Sequence, residues 1–500
     1  MKSFYNNIVV FKIALLLGVY SWVFGGTMGP YLIPVIPWLT LILLEGMFFF
    51  PQRYEKETLQ AARARVWKSL KSDALTWVIV AFIVLLTIPT INTGLCQVCD
   101  FPRIAAGEDS KPMLPFLPFC VNRIHHFGVM LWFVPSLLAV LAVKHSCLRA
   151  GKRLLIKTLV WNGFALALFG AIQEITGADA PFWGEIEGQR IHFFSTFGYS
   201  NMAGAFFTAI FALGFATWRR NIDDVNNLAK KEEHSNLSQT RNFFWKKHYL
   251  GIPTIISYFA AINSLSRATI ILVTLLALLF LVHSVASMLV KLPRAKRFKL
   301  GVIAASVLAL VVVISFSVMP NDVRREIDTV DAREVLDRMT GKKECHADVA
   351  MRIWKQYPVF GVGGWGYWHF RMPNMTKKEI ASTLSSGAAN VHNDYLQFMV
   401  EHGAVGALCL LSILILVVAP IFVQWKQLII SIRFSKERLK IPAPVHIFAL
   451  PAAALFILLG VIAIMVHATG DCPLRSPAIL STLLVSLASI EGYLPSRQYE

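Results

Sequence analysis

The chain is 500 residues long, 55% hydrophobic and 16% charged, with a mean hydropathy of +0.55. A soluble domain holds roughly 45–50% apolar and about 25% charged residues, so the composition excludes a soluble globular protein and points to a polytopic helical membrane protein. The formal charge of +18 would suit a nucleic-acid binder, but the basic residues sort by loop, and no nucleic-acid role is needed.

Apolar runs of about 17 residues or more cross a hydrocarbon core of about 30 Å. They predict an all-α fold of about twelve transmembrane helices, at 8–24, 31–50, 74–92, 127–143, 155–175, 199–217, 250–266, 268–290, 300–319, 404–424, 446–468 and 477–493. The first run lacks a small-residue cleavage site and leads straight into the second, so it reads as a span and not as a signal peptide. An even count puts both termini on one side. The segments 51–73, 144–154, 218–249, 291–299 and 425–445 carry 27 Lys or Arg, whereas the short segments of opposite parity carry 6. The positive-inside bias therefore makes the first set cytoplasmic, with both termini inside. The same charge suits anionic membrane lipids.

One exterior segment, Pro320 to Gly403, is 84 residues long, and long loops escape the charge rule. The sequence predicts short helices within it, a mixed-charge one over 321–338 and an amphipathic one over 344–357 through Ala350, Ile353 and Trp354. The glycine-rich GVGGWGYWHF follows at 361–370. It spells G-x-G-x-x-G, but no strand unit precedes it, so tight turns and close backbone approach are its expected use. Another helix is expected after His392, capped by Asn393 or Asp394 and ended by Gly403. Val391, Tyr395 and Met399, with Leu396 and Val400 beside them, predict its apolar face. Glu401 lies about 180° around that helix from His392 and is not expected to pair with it.

Three exterior polar features are candidates for chemistry: Gly188 to Asn201, Asn263 to Arg267 at a tight hairpin, and His392 to Asp394. Arg267 would lie near headgroup depth, where a guanidinium either anchors the hairpin to lipid phosphates or grips a lipid-linked diphosphate through its fork. Arg190 faces the same choice. His392 is either a general base for a hydroxyl or an interfacial cap. Lys12, Glu45 and Glu174 sit near span ends and form no ion path. Cys96, Cys99, Cys120, Cys345 and Cys472 fall outside, where cystines or free thiols are the expected state, and Cys96-x-x-Cys99 has no second pair to complete a zinc site.

Five stretches together resemble the O-antigen ligase and polymerase superfamily of bacterial membrane glycosyltransferases: RIHFFSTFGYSNMAGAFF (190–207), SLSRATIILV (264–273), GVGGWGYWHF (361–370), VHNDYLQFMVEHGAVG (391–406) and VHATGDCPLRSP (466–477). The resemblance covers 155–490, and residues 1–150 match only as four membrane spans. It implies a GT-C-like membrane fold whose one large periplasmic loop, 320–403, belongs to the catalytic region. It implies a donor glycan on undecaprenyl diphosphate, transferred on the periplasmic side of the inner membrane, without metal or other cofactor. The ligase branch transfers to lipid A–core, the polymerase branch joins polysaccharide repeats, and a related branch glycosylates proteins. The family's functional arginines fall on Arg190 and Arg267 and its loop histidine on His392. Asn201, Asn393, Trp365 and Trp368 are expected to bind substrate. The alternatives outside this class are a lipid-linked sugar transporter or flippase and an envelope scaffold, but no internal repeat supports the transporter.

Overall fold

The computed structural model describes residues 5–27, 29–93, 114, 116–184, 193–232, 240–291, 346–386, 390–434 and 450–494, with 302, 306, 309, 310, 313 and 317. The expected helix over 321–338, most of the expected span 300–319, Arg190, Cys96, Cys99 and Cys345 lie outside these residues.

The described residues are helical, with two isolated β-bridges and no strand. In chain order the helices are α1 Ile8–Trp22, α2 Ile36–Phe49, α3 Leu59–Ser72, α4 Ala74–Ile91, α5 Arg123–Leu141, α6 Arg149–Ile175, α7 Ser200–Glu232 and α8 Thr240–His248. There follow α9 Gly251–Asn263, α10 Arg267–Lys291, α11 His346–Gln356, α12 Gly366–Phe370, α13 Lys377–Ser386, α14 Asp394–Phe434, α15 Ala452–His467 and α16 Pro477–Ser489. Among the described residues, six segments are long and apolar enough to cross a membrane by length and composition: Ala74–Ile91, Arg123–Ser146, Arg149–Ile175, Ser200–Asn226, Arg267–Ala286 and Asp394–Gln427. Four expected spans are shorter apolar helices, Ile8–Trp22, Ile36–Phe49, Ala452–His467 and Pro477–Tyr493. The expected span 250–266 is a helix of only 13 residues, about 20 Å long, because the chain turns at Leu265, whose φ is +59°.

The chain divides into two compact units, each built from separated stretches of sequence. The first comprises residues 1–151, 330–420 and 468–488. Here α1 packs on α2, and α4 on α5. Lys12 and Glu45, isolated charges in the sequence, form an ion pair of 2.5 Å. Gly46 makes room for it, since a Cβ there would meet the Lys12 Cδ at 2.7 Å. Thr58 caps α3 by accepting the Ala61 N–H, and α3 buries Ala62, Val66 and Leu70 along one stripe. A separate apolar core gathers Val349, Ala350 and Ile353 of α11 with Phe119, Val362, Tyr367, Met375, Val391 and Val400. It folds the residues after 345 into a small helical subdomain, with α11 where the sequence predicts a helix.

The second unit comprises 152–329, 421–467 and 489–500. Its centre is α7, packed against α9, α10 and α15. Phe211, Phe215, Phe280 and Phe456 stack between these helices, with ring centroids 4.4–5.8 Å apart. Gly214 lets α9 approach, since a Cβ there would lie 2.6 Å from the Thr254 hydroxyl. The Lys152 ammonium pairs with Glu491 at 2.6 Å.

At the start of α14, Val391 and Val400 of the predicted apolar face are buried in the subdomain core and Leu396 packs against it, but the polar residues are buried too. Asp394, Gln397 and Glu401 are buried, whereas Tyr395 is 38% exposed. The polar stripe thus also faces the protein, and of the expected apolar face Tyr395 is turned outward. In a membrane protein an apolar face is as much at home against lipid as against protein, so periodicity finds the stripe without saying which way it points.

Candidate active site

The backbone of the first unit prepares this site through one break. Gly403 has φ +63° and ψ −172°, a conformation essentially restricted to glycine. It interrupts α14 and leaves the carbonyls of Val400 and Glu401 and the N–H groups of Ala404 and Val405 without helical partners. The segment 358–363 supplies them. Val362 and Gly363 donate to the Val400 and Glu401 carbonyls at 3.0 and 2.8 Å, and Ala404 and Val405 donate to Pro358 and Val359 at 2.9 and 3.1 Å. The two backbones approach closely, and a Cβ on Gly361 would lie 2.5 Å from the Val400 carbonyl oxygen. The glycine-rich motif thus serves backbone contact, as its sequence context predicts. Gly364 donates to His126 Nδ1 at 2.8 Å, while the other ring nitrogen of His126 faces the Leu86 carbonyl at 2.7 Å. His126 is therefore neutral, with its proton on Nε2, and ties the motif to α5.

His392 precedes α14 in the left-handed region, with φ +56°. That turn brings its Nδ1 to 3.3 Å from Asp471 Oδ1. Asp471 is only 5% exposed, and the same oxygen accepts the Cys472 backbone N–H at 2.7 Å and its thiol at 3.3 Å. With Asp471 ionised, the His392 proton sits on Nδ1, facing the carboxylate. The register between 392–394 and 468–474 is held three further times. Asn393 donates to the Thr469 carbonyl at 3.0 Å, the Asp394 N–H to the Ala468 carbonyl at 3.0 Å, and Leu474 N–H to the Asp394 carboxylate at 2.7 Å. Asn393 Oδ1 also accepts Leu396 N–H and so caps α14. Burial, with Asp471 and Asp394 close by, pushes the Cys472 thiol well above its ordinary value.

Behind this pair lies a buried ion pair. Arg475 Nη1 donates to both oxygens of Glu401 at 3.1 Å. Its guanidinium stands 4.6 Å from the Trp365 ring and 5.3 Å from that of Trp132. Gln397 bridges Asn390, Glu401 and the Val391 N–H, fixing the turn in which His392 sits. On the side of the subdomain core, the His346 ring lies 6.3 Å from that of His392, and its Nδ1 meets the Tyr367 hydroxyl at 2.9 Å.

Four predicted site residues, His392, Asn393, Trp365 and Trp368, belong to this unit. Asn393 acts as a clamp and helix cap. Trp365 carries the Arg475 guanidinium on one face, and Trp368 carries that of Arg371 at 3.5 Å. Between them Tyr367 is completely buried, and Trp354 of α11 is half-buried against the subdomain core.

Arg267 and Asn201 belong to the second unit. Arg267 opens α10 directly after the turn at 264–266 and is half-buried. Gly204 in the first turns of α7 admits that turn, since a Cβ there would lie 2.6 Å from the Ser264 hydroxyl and closer still to that of Thr269. Asn201 donates to the Tyr199 hydroxyl at 2.8 Å.

Reasoning from the sequence missed Asp471, the Glu401–Arg475 pair and His346. Asp471 had a signal, being the single carboxylate of the VHATGDCPLRSP stretch. His346 had none.

Residues 252–411, about a third of the chain, match the family model described as O-antigen ligase. The match takes in Arg267, the glycine-rich motif and His392, and stops short of Asp471. No curated protein matches the chain.

Proposed function

We propose that this chain, whose residues 252–411 place it in the O-antigen ligase superfamily, moves a glycan from undecaprenyl diphosphate to an acceptor hydroxyl on the periplasmic side of the inner membrane. The family is one of multi-pass membrane glycosyltransferases, acting in general on lipid-linked glycans and polysaccharide acceptors. The observation that carries the reading is the His392–Asp471 pair at 3.3 Å.

His392 Nε2 takes the proton of the acceptor hydroxyl as its oxygen attacks the anomeric carbon. The carbon–oxygen bond to the diphosphate breaks, and the diphosphate leaves with the electron pair. Attack opposite the leaving group inverts the anomeric centre. Asp471 keeps the imidazole in the right tautomer and stabilises the imidazolium, and a positioned base of this kind contributes roughly 10²–10⁴-fold. Arg267 and Arg190 take up the charge on the diphosphate, and each such donor is worth about 2.7–4 kcal/mol of barrier. Because guanidinium groups supply that charge, this mechanism needs no metal. Asn201, Trp365 and Trp368 contact the substrates.

In a purified system with a lipid-linked donor, His392→Ala and Arg267→Ala are expected to fold into the membrane and abolish transfer. Arg267→Lys fails as well, because an ammonium lacks the planar fork. Transfer at the wild-type rate by His392→Ala would remove this mechanism. A deletion strain separates the branches. Loss of long-chain lipopolysaccharide with free polymer retained identifies a ligase to lipid A–core, single-repeat capping a polymerase, and bare secreted proteins a protein-directed enzyme.

A further inference from the structure

We propose that His392, Asp471 and Cys472 form a binding site for a soft divalent cation such as Zn²⁺, and that the cation inhibits the enzyme by taking the histidine nitrogen that faces Asp471. The inhibitory half rests on the transfer reading above, whereas the binding half stands without it.

The three donor atoms, an imidazole nitrogen, a carboxylate oxygen and a thiol sulfur, all lie within 4.8 Å of one another. Asp471 Oδ1 is 3.3 Å from His392 Nδ1 and 3.3 Å from Cys472 Sγ. Zinc binds nitrogen and oxygen at about 2.0–2.2 Å and sulfur at about 2.3 Å. A tetrahedron with those bonds has a nitrogen–oxygen edge of about 3.3–3.6 Å and an oxygen–sulfur edge of about 3.5–3.7 Å, so the first stands at the required length and the second needs an opening of only about 0.2–0.4 Å before a cation fits. Nitrogen, oxygen and sulfur together are a zinc donor set, not one for magnesium or calcium. The set is held together by the clamps between 392–394 and 468–474. The His392 side chain is 34% exposed, which gives the cation a way in and leaves its fourth position to water.

The proton balance explains the inhibition. On binding, the Cys472 thiol gives its proton to solvent and becomes a thiolate. The His392 proton moves from Nδ1 to Nε2 as Nδ1 takes the cation. Nε2 then has no lone pair for an acceptor hydroxyl, and Asp471 no longer holds the ring. Because a proton is released, binding tightens as the pH rises. Cys472 meets the transfer machinery only through its hydrogen bonds to Asp471, so replacing it removes a cation donor while His392 and Asp471 stay in place.

The test uses the full chain in detergent. Cd²⁺, as a spectroscopic probe for Zn²⁺, is titrated while the thiolate-to-cadmium absorbance is followed, with no donor present. Zn²⁺ inhibition of transfer is measured in parallel. Cys472→Ser is expected to lose this site's share of the absorbance. It should also raise the half-inhibiting Zn²⁺ concentration by about 100-fold or more, beyond the 10–100-fold that second-shell partners cost, with the inhibition of each protein referred to its own metal-free rate. A chelator should restore the wild type. Equal cadmium absorbance and equal Zn²⁺ sensitivity in the two proteins would overturn the proposal. Should Cys472→Ser fail to fold, X-ray absorption at the zinc edge of the wild type decides. One sulfur with nitrogen and oxygen neighbours supports the site, and a shell without sulfur overturns it. If no glycan transfer is found at all, the cadmium titration still reads the site by itself.

Discussion

Replacing Asp471 by Asn tests the core of the mechanism with almost no change of shape. The carboxylate oxygen lies 3.3 Å from His392 Nδ1, and its charge matters most when the imidazole becomes imidazolium in the transition state. At that distance a unit charge pair is worth about 1.3 kcal/mol at the dielectric of water and about 5 kcal/mol at an effective dielectric of 20. Asp471 is buried and the His392 side chain one-third exposed, so the loss falls between these bounds. At 1.36 kcal/mol per decade, kcat should drop by about 10- to 5,000-fold. KM should change little, because the charge acts on the transition state and not on the bound donor. The assay is steady-state transfer from a synthetic lipid-linked donor by purified protein, with the amount of folded enzyme checked by gel filtration. Asp471→Asn turning over within about threefold of the wild type would refute the pairing as a working part of the site.

Two further outcomes follow from the first unit alone. Gly403→Ala places a methyl group 2.5 Å from Phe360 N and closer still to the Val359 carbonyl, in a backbone conformation that costs other residues about 1–3 kcal/mol. The variant should unfold at clearly lower temperature in detergent and lose transfer activity, and an unchanged melting curve would contradict the backbone account. His369 stacks on His125 at 5.3 Å, and burial followed by the His125 charge lowers its pKa from 6.5 to about 4. A histidine whose folded value is depressed favours folding fully above pH about 6.5 and progressively less as the pH falls towards 4. At pH 5 the loss is on the order of 1 kcal/mol after allowance for its partial exposure. Hydrogen exchange over 366–370 should therefore quicken between pH 7.5 and pH 5, once corrected for intrinsic rates. His369→Gln should flatten the difference, and equal protection at both pH values would count against it.

Much of the fold can be read along the chain. Apolar runs locate the helices because hydrophobicity is a local property and helices long enough to cross a membrane must be apolar over most of their length. Asn393 as a cap, Gly403 as a helix break and the glycine-rich motif as a place of close backbone approach are local too, since each follows from what a short stretch of backbone can adopt. The position of His392 just before α14 belongs with them. Only the tertiary structure decided what His392 faces. Asp471 is 79 residues further on, and it arrives because the chain returns to the first unit at residue 468 after passing through the second. Only the tertiary structure turned Asp394, Gln397 and Glu401 inward, where Glu401 meets Arg475, 74 residues away. A periodic pattern fixes the spacing of a polar stripe but carries no sign for its direction when lipid is available as a second apolar surrounding. Spans, caps and breaks are thus properties of neighbouring residues, whereas charge pairing is a property of chain return.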